Sequence, residues 1–179
     1  MNTANAFERD ANFVPITQLG LIVTKSVTFS STGALVYPLF SVTGTVLVNS
    51  LYGIVTTVLA ANHRVGAFRL NDQTAQVQIT SATGPTMDSA PVGSMIIADV
   101  LSATAASFKS SAAGAVLQPA SAQTLSFSPS ILTQKMSAGV GVETDIEYRF
   151  TSSTNPTTGV IKFYCGFIPL SDDGAIVAL

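Results

Sequence analysis

Four groups of residues in this chain have the types from which reactive sites are built. His63-Arg64, Arg69 and Asp72 form the charged cluster nearest the longest apolar stretch. In a hydrolytic triad His63 would act as base, Asp72 would orient it and a serine would attack. No G-x-S-x-G elbow singles out a serine. The cluster therefore reads as a strand end, with Arg69 and Asp72 pairing across a hairpin. Glu143, Asp145 and Glu147 stand at i, i+2 and i+4, so on a strand they share one face, as the two carboxylates of a glycosidase might. Three like charges on one face more often mark the solvent side, and an exposed row is expected. Asp172-Asp173-Gly174 lacks the alternating oxygen ligands of a calcium loop and reads as a solvated turn. Cys165 sits between aromatics in an apolar run and reads as a core thiol. No phosphate loop or metal-ligand spacing occurs. The expectation is a protein that is not an enzyme, with no catalytic residue, cofactor or metal.

The elements that would carry these residues are strands. Between Lys25 and Arg64 there is no Asp, Glu, Lys or Arg. A membrane helix needs about 20 uninterrupted apolar residues. The nearest approach, residues 46–61, is broken by Asn49, Ser50, Gly53, Thr56 and Thr57. Val and Thr dominate, and Pro38, Gly44 and Gly53 punctuate the longer stretch, which favours strands and turns. A strand buried on both faces, or on one face in an assembly, reads this way.

Alternation places Leu19, Leu21, Val23, Val27 and Phe29 on one side of a first strand, and Val36, Phe40, Val42, Val46 and Val48 on one side of the next run. Asn49-Ser50 breaks that run, and residues 51–60 resume it. Residues 65–70 and 75–80 flank a hairpin connection at 71–74, with Ala75, Val77 and Ile79 opposite a wet face. Residues 94–101 form another strand, 124–128 a short one and 131–135 a further candidate. The Ala- and Ser-rich stretch 104–118 suits one short helix, although Gly114 weakens it. Ile146, Tyr148 and Phe150 point inward with Glu147 and Arg149 outward. Residues 160–168 make the final strong strand. Phe40, Val42, Val46, Ile146, Tyr148, Phe150, Phe163 and Phe167 are the expected core. About ten short strands at this spacing predict an all-β chain, a single β-sandwich, jelly-roll-like or barrel domain over residues 18–179.

Residues 1–17 alternate at no useful period and read as an extended N-terminal arm or a frayed terminus. Phe7, Phe13, Val14 and Ile16 are its candidate partner contacts, while Glu8, Arg9 and Asp10 keep it soluble. Extended, the arm would span about 50 Å. It lacks the basic and apolar regions of a secretory signal. With one cysteine in the chain, synthesis in a reducing cytosol is expected.

The 179 residues are 47% hydrophobic and only 10% charged, with a net charge of −2. Ordinary globular chains carry about 25% charged residues. So few charges on an isolated domain invite association, and the simplest reconciliation is a surface covered by other subunits, as a homo-oligomer and most simply a trimer. No basic patch suggests nucleic acid, and no membrane partner is expected.

The segments QLGLIVTKSVTF, HRVGAFRLNDQTAQVQITSATG, IEYRF and VIKFYCGFIPLSDDGAIVA, in this order, resemble small structural proteins of tailed bacteriophages, the capsid decoration, cement or head-fibre type. The resemblance runs from about Gln18 to the C-terminus and carries over no functional residue. It implies an all-β virion protein on the capsid surface, made in the host cytoplasm, with the major capsid protein as partner and a trimer as its usual state. Other virion parts are alternatives: a head-fibre base, a tail or baseplate subunit, or a carbohydrate-binding receptor-binding tip.

Overall fold

A computed structural model describes residues 20–30, 35–60, 66–72, 76–80, 87–98, 107–109, 130–137, 140–150 and 158–179. The expected arm and the expected strand at 124–128 lie outside these residues, as do His63 and Arg64. The described chain is all strand and connection, in thirteen strands. In order they are β1 (Leu21–Ser30), β2 (Val36–Thr43), β3 (Thr45–Thr57), β4 (Gly66–Asn71), β5 (Gln76–Gln78), β6 (Met95–Ile97) and β7 (Ser107–Lys109), then β8 (Ser130–Thr133), β9 (Met136–Ser137), β10 (Val140–Gly141), β11 (Asp145–Phe150), β12 (Thr158–Pro169) and β13 (Ala175–Ala178). Two antiparallel sheets form a β-sandwich. Sheet A runs β1-β12-β3-β6-β7, with β8 beside the first part of β3, and sheet B runs β13-β2-β11-β4-β5. The strands β9 and β10 form a small separate hairpin.

Each long strand buries one row of side chains against the other sheet. Ile161, Phe163, Cys165 and Phe167 from β12 meet Ile146, Tyr148 and Phe150 from β11. Phe163 packs edge-on to Phe68 and tilted against Tyr148, while Phe29, Tyr37 and Phe150 form an edge-to-face trio. All eight expected core residues are buried.

The β-branched run 45–57 forms one unbroken strand, so Asn49-Ser50 is not a break. Gly166 pairs with Ser50 and Phe167 with Val48, which makes the intervening Asn49 a bulge. The extra residue shifts the phase: Val46 and Val48 face the core before it, Leu51 and Val55 after it. A similar shift in the β2–β11 ladder lets both Leu39 and Phe40 be buried.

The expected run 36–48 is divided instead at Gly44, where the chain leaves sheet B for sheet A within one residue. Gly44 has φ +56°, a conformation that favours glycine. A Cβ there would overlap the Ser171 and Asp173 side chains. The returning chain closes this corner. Ser171 Oγ accepts from the Thr45 N–H (2.8 Å), Thr45 O accepts from the Leu170 N–H (2.9 Å), and Gly44 O accepts from the Gln134 N–H (2.8 Å).

Three other expectations need correction. Residues 107–109 of the Ala/Ser-rich stretch are strand. Val77 stands on the inward face opposite Leu70 yet is exposed, because the short edge strand β5 pairs only with β4. The tail after the last strong strand adds β13 to the edge of sheet B beside β2.

Candidate docking interface

The carboxylate row does not face open solvent. Glu143 is exposed, but Asp145 and Glu147 lie on the outer face of sheet B at 3% and 4% exposure. Register explains this, because β11 is flanked on both sides. Glu147 stands opposite Arg69 of β4, and Asp145 between Ser41 of β2 and Asn71 of β4. Arg69 Nε donates to Glu147 Oε2 at 2.5 Å, its Nη1 to Gln76 Oε1 at 2.6 Å, and Asn71 Nδ2 to Glu147 Oε1 at 2.9 Å. The expected Arg69–Asp72 pair is therefore replaced by Arg69–Glu147, and Asp72 pairs with Lys135 at 3.0 Å. Asp145 keeps one carboxylate oxygen buried without a partner. Burial first, then the nearby Glu143 and Glu147 charges, push its pKa up to about 6, against a lowering hydrogen bond from Ser41.

Glu147 is held by Arg69 and Asn71, and His63 lies outside the described residues. Burial pushes the Cys165 thiol up to about 12, which keeps it protonated and unreactive. Asp172 and Asp173 are exposed on a turn, where Ser171 Oγ donates to Asp173 Oδ1 at 2.7 Å. Among the described residues no group of three His, Cys, Asp or Glu is placed to hold a metal ion. No helix among them is long and apolar enough to cross a membrane, and the membrane-helix candidate is largely β3. The contacts expected at Phe7, Phe13, Val14 and Ile16 lie outside the described residues.

The feature that sequence reasoning did not single out is the outer face of sheet A. Beside the Gly44 corner, Ile168 of β12 pairs with Leu47 of β3, and Leu47 with Ile131 of β8. One row further, Ile22 of β1 stands opposite Gly166. Beyond that, Tyr164 pairs with Tyr52 and Tyr52 with Ile97. The two tyrosine rings stack at 4.8 Å and 8°. Lys162 brings the charge on this face, its Nζ 5.4 Å from the Tyr164 ring centroid. Ile22, Ile131 and Leu170 are 64%, 65% and 51% exposed. Part of the signal was present in β12, whose outward positions Val160, Tyr164 and Ile168 are large and apolar, with Lys162 and Gly166 between them. A strand with large apolar residues on both faces suits cover on both. Contiguous apolar surface of this kind makes the face a candidate for a protein–protein contact.

Comparison with family models, with curated proteins and with solved structures found no match.

Proposed function

We propose that this chain is a structural subunit of a tailed-phage virion: a capsid decoration (cement) protein on the outside of the head, stabilising it through contacts with the major capsid protein. The observation that carries the reading is the apolar outer face of sheet A on a chain with 10% charged residues. A domain with such a face needs a covering partner, and a shell offers one. We also read the sandwich as a jelly roll. Its main strands run β1-β12-β3-β6 and β2-β11-β4-β5, and the chain passes repeatedly from one sheet to the other, as in the eight-stranded double Greek key of viral capsid and lectin domains. In this reading the protein works as a homotrimer, touches neither nucleic acid nor membrane, and catalyses nothing. The test is co-sedimentation with purified tailed-phage heads lacking this protein. Saturable binding at a fixed ratio to the major capsid protein is expected, together with greater resistance of the heads to heat. Heads that sediment free of the protein overturn the reading.

The stacked Tyr52–Tyr164 pair supports a second reading, a carbohydrate-binding receptor tip, since sugars settle on aromatic surfaces and lectin domains share the jelly-roll architecture. A glycan array separates the two: selective retention that is lost in Tyr164→Ser supports the receptor tip.

A further inference from the structure

We propose that the apolar band formed by Ile22, Ile168, Leu47 and Ile131 is covered by residues 7–16 of a second copy of this chain. The inference rests on the homo-oligomer reading above and names the surface and the segment that would build it.

Three observations carry it. First, one copy leaves the band open, with Ile22 and Ile131 each about two-thirds exposed. Isolated exposed aliphatics are ordinary, but here the four side chains are joined by strand register into one surface across four strands, β1, β12, β3 and β8. That surface is about 14 Å wide at the spacing of neighbouring strands.

Second, the segment preceding the described domain joins it at this surface. Gly20 adjoins β1, and a Cβ on it would lie 3.2 Å from Ile168 Cγ1. The 19 residues before it reach about 60 Å when extended, several times the width of the band and enough to pass onto a neighbour.

Third, the segment has the complementary chemistry. Phe7, Phe13, Val14 and Ile16 supply apolar side chains, and Glu8, Arg9 and Asp10 keep it soluble before it is bound. A band and a segment set on one chain make a head-to-tail contact, which closes into a ring when the rotation between copies allows. A trimer covers all three bands at once.

The buried Cys165, with its thiol raised to about 12, leaves the surface open to cysteine mapping. Full-length Val14→Cys and Ile131→Cys are made separately, mixed and oxidised. Expected is a disulfide-linked species of twice 18.5 kDa that contains one of each variant. In parallel, Ile131→Glu and Phe13→Asp are each expected to weaken self-association on the order of 100-fold in sedimentation velocity, because each sets a charge in an apolar contact. Ile131 is exposed, and circular dichroism that matches the parent in both variants separates lost association from misfolding. An oligomer whose mass survives both charge variants and yields no mixed disulfide overturns this inference and leaves the homo-oligomer reading standing. A full chain that sediments as a monomer overturns both. A disulfide formed within one chain of the Val14→Cys/Ile131→Cys double variant places the segment on its own band and overturns the exchange.

Discussion

The two outer faces of the sandwich bury their strands in opposite ways. On sheet B the outward side chains where β11 meets β4 and β5 are polar and hold one another: Gln76, Arg69, Glu147 and Asn71 form a hydrogen-bonded chain. On sheet A the band across β12, β3 and β8 is aliphatic and aromatic, and Ile22 and Ile131 at its sides stay exposed. A charged set of this kind forms in one strand register, since a slip of one residue turns every side chain to the opposite face. Sheet B thus carries its own register marker, whereas sheet A leaves apolar side chains partly exposed. The difference teaches that burial alone does not identify a functional surface. The most buried charges are paired within the fold, and the exposed apolar rows are the surface on which the proposed assembly rests.

The core shared by both sheets sets the scale. Phe163→Ala should cost about 3–5 kcal/mol in urea denaturation; a cost below about 1 kcal/mol would mean that the two sheets do not pack through this ring. Next comes the charge set. Glu147→Ala leaves Arg69 buried without its carboxylate and should cost about 3 kcal/mol, while the double variant Arg69→Met, Glu147→Leu should cost less than either single change. Equal costs for the single and double variants would show that the pair stabilises the chain rather than marking its register.

A smaller effect, opposite in sign, is expected at Asp145. Its folded pKa, about 6, is raised above the ordinary carboxylate value, so the folded state binds the extra proton. Its contribution to stability is fully present below about pH 4 and is lost as pH rises through 6. Asp145→Asn should flatten this slope and raise stability at pH 7.5 by about 1 kcal/mol, roughly 2–4 °C in Tm. A loss of stability at pH 7.5 would show that the carboxylate is held there as the anion. The smallest effect belongs to sheet A. Ile131→Ser, measured at a concentration too low for self-association, should change stability by less than about 0.5 kcal/mol. A loss above about 1 kcal/mol would mean that this face is already covered within one chain.

The sequence made the inward rows legible because alternation is a local signal. Ile146, Tyr148 and Phe150 could be placed from their spacing alone. The fate of Glu147 could not, because its partner Arg69 is 78 residues away and only sheet register brings them together. Residues 45–57 were legible as strand material, but the phase change at Asn49 depends on the β12 ladder. β13 escaped notice because four small and apolar residues after an Asp-Asp-Gly turn look like a tail until the edge of β2 is known. The apolar face of sheet A was legible only as a shortage of charge and as large apolar residues at Val160, Tyr164 and Ile168. Placing it required knowing that β12 lies between β1 and β3.

That central position of β12 also bears on how the protein comes into being. β1 and β3 are not neighbours; the strand between them is made more than a hundred residues after β3. β11 separates β2 from β4 in the same way. Neither sheet can close until the ribosome has delivered residues 145–169, and the Gly44 corner waits for Ser171. Until then the growing chain shows unpaired apolar strands to its surroundings. Pairings this distant in sequence place the domain among slow folders, in the millisecond to second range. Its yield should therefore depend more on chaperone supply and growth temperature than on the stability of the finished sandwich.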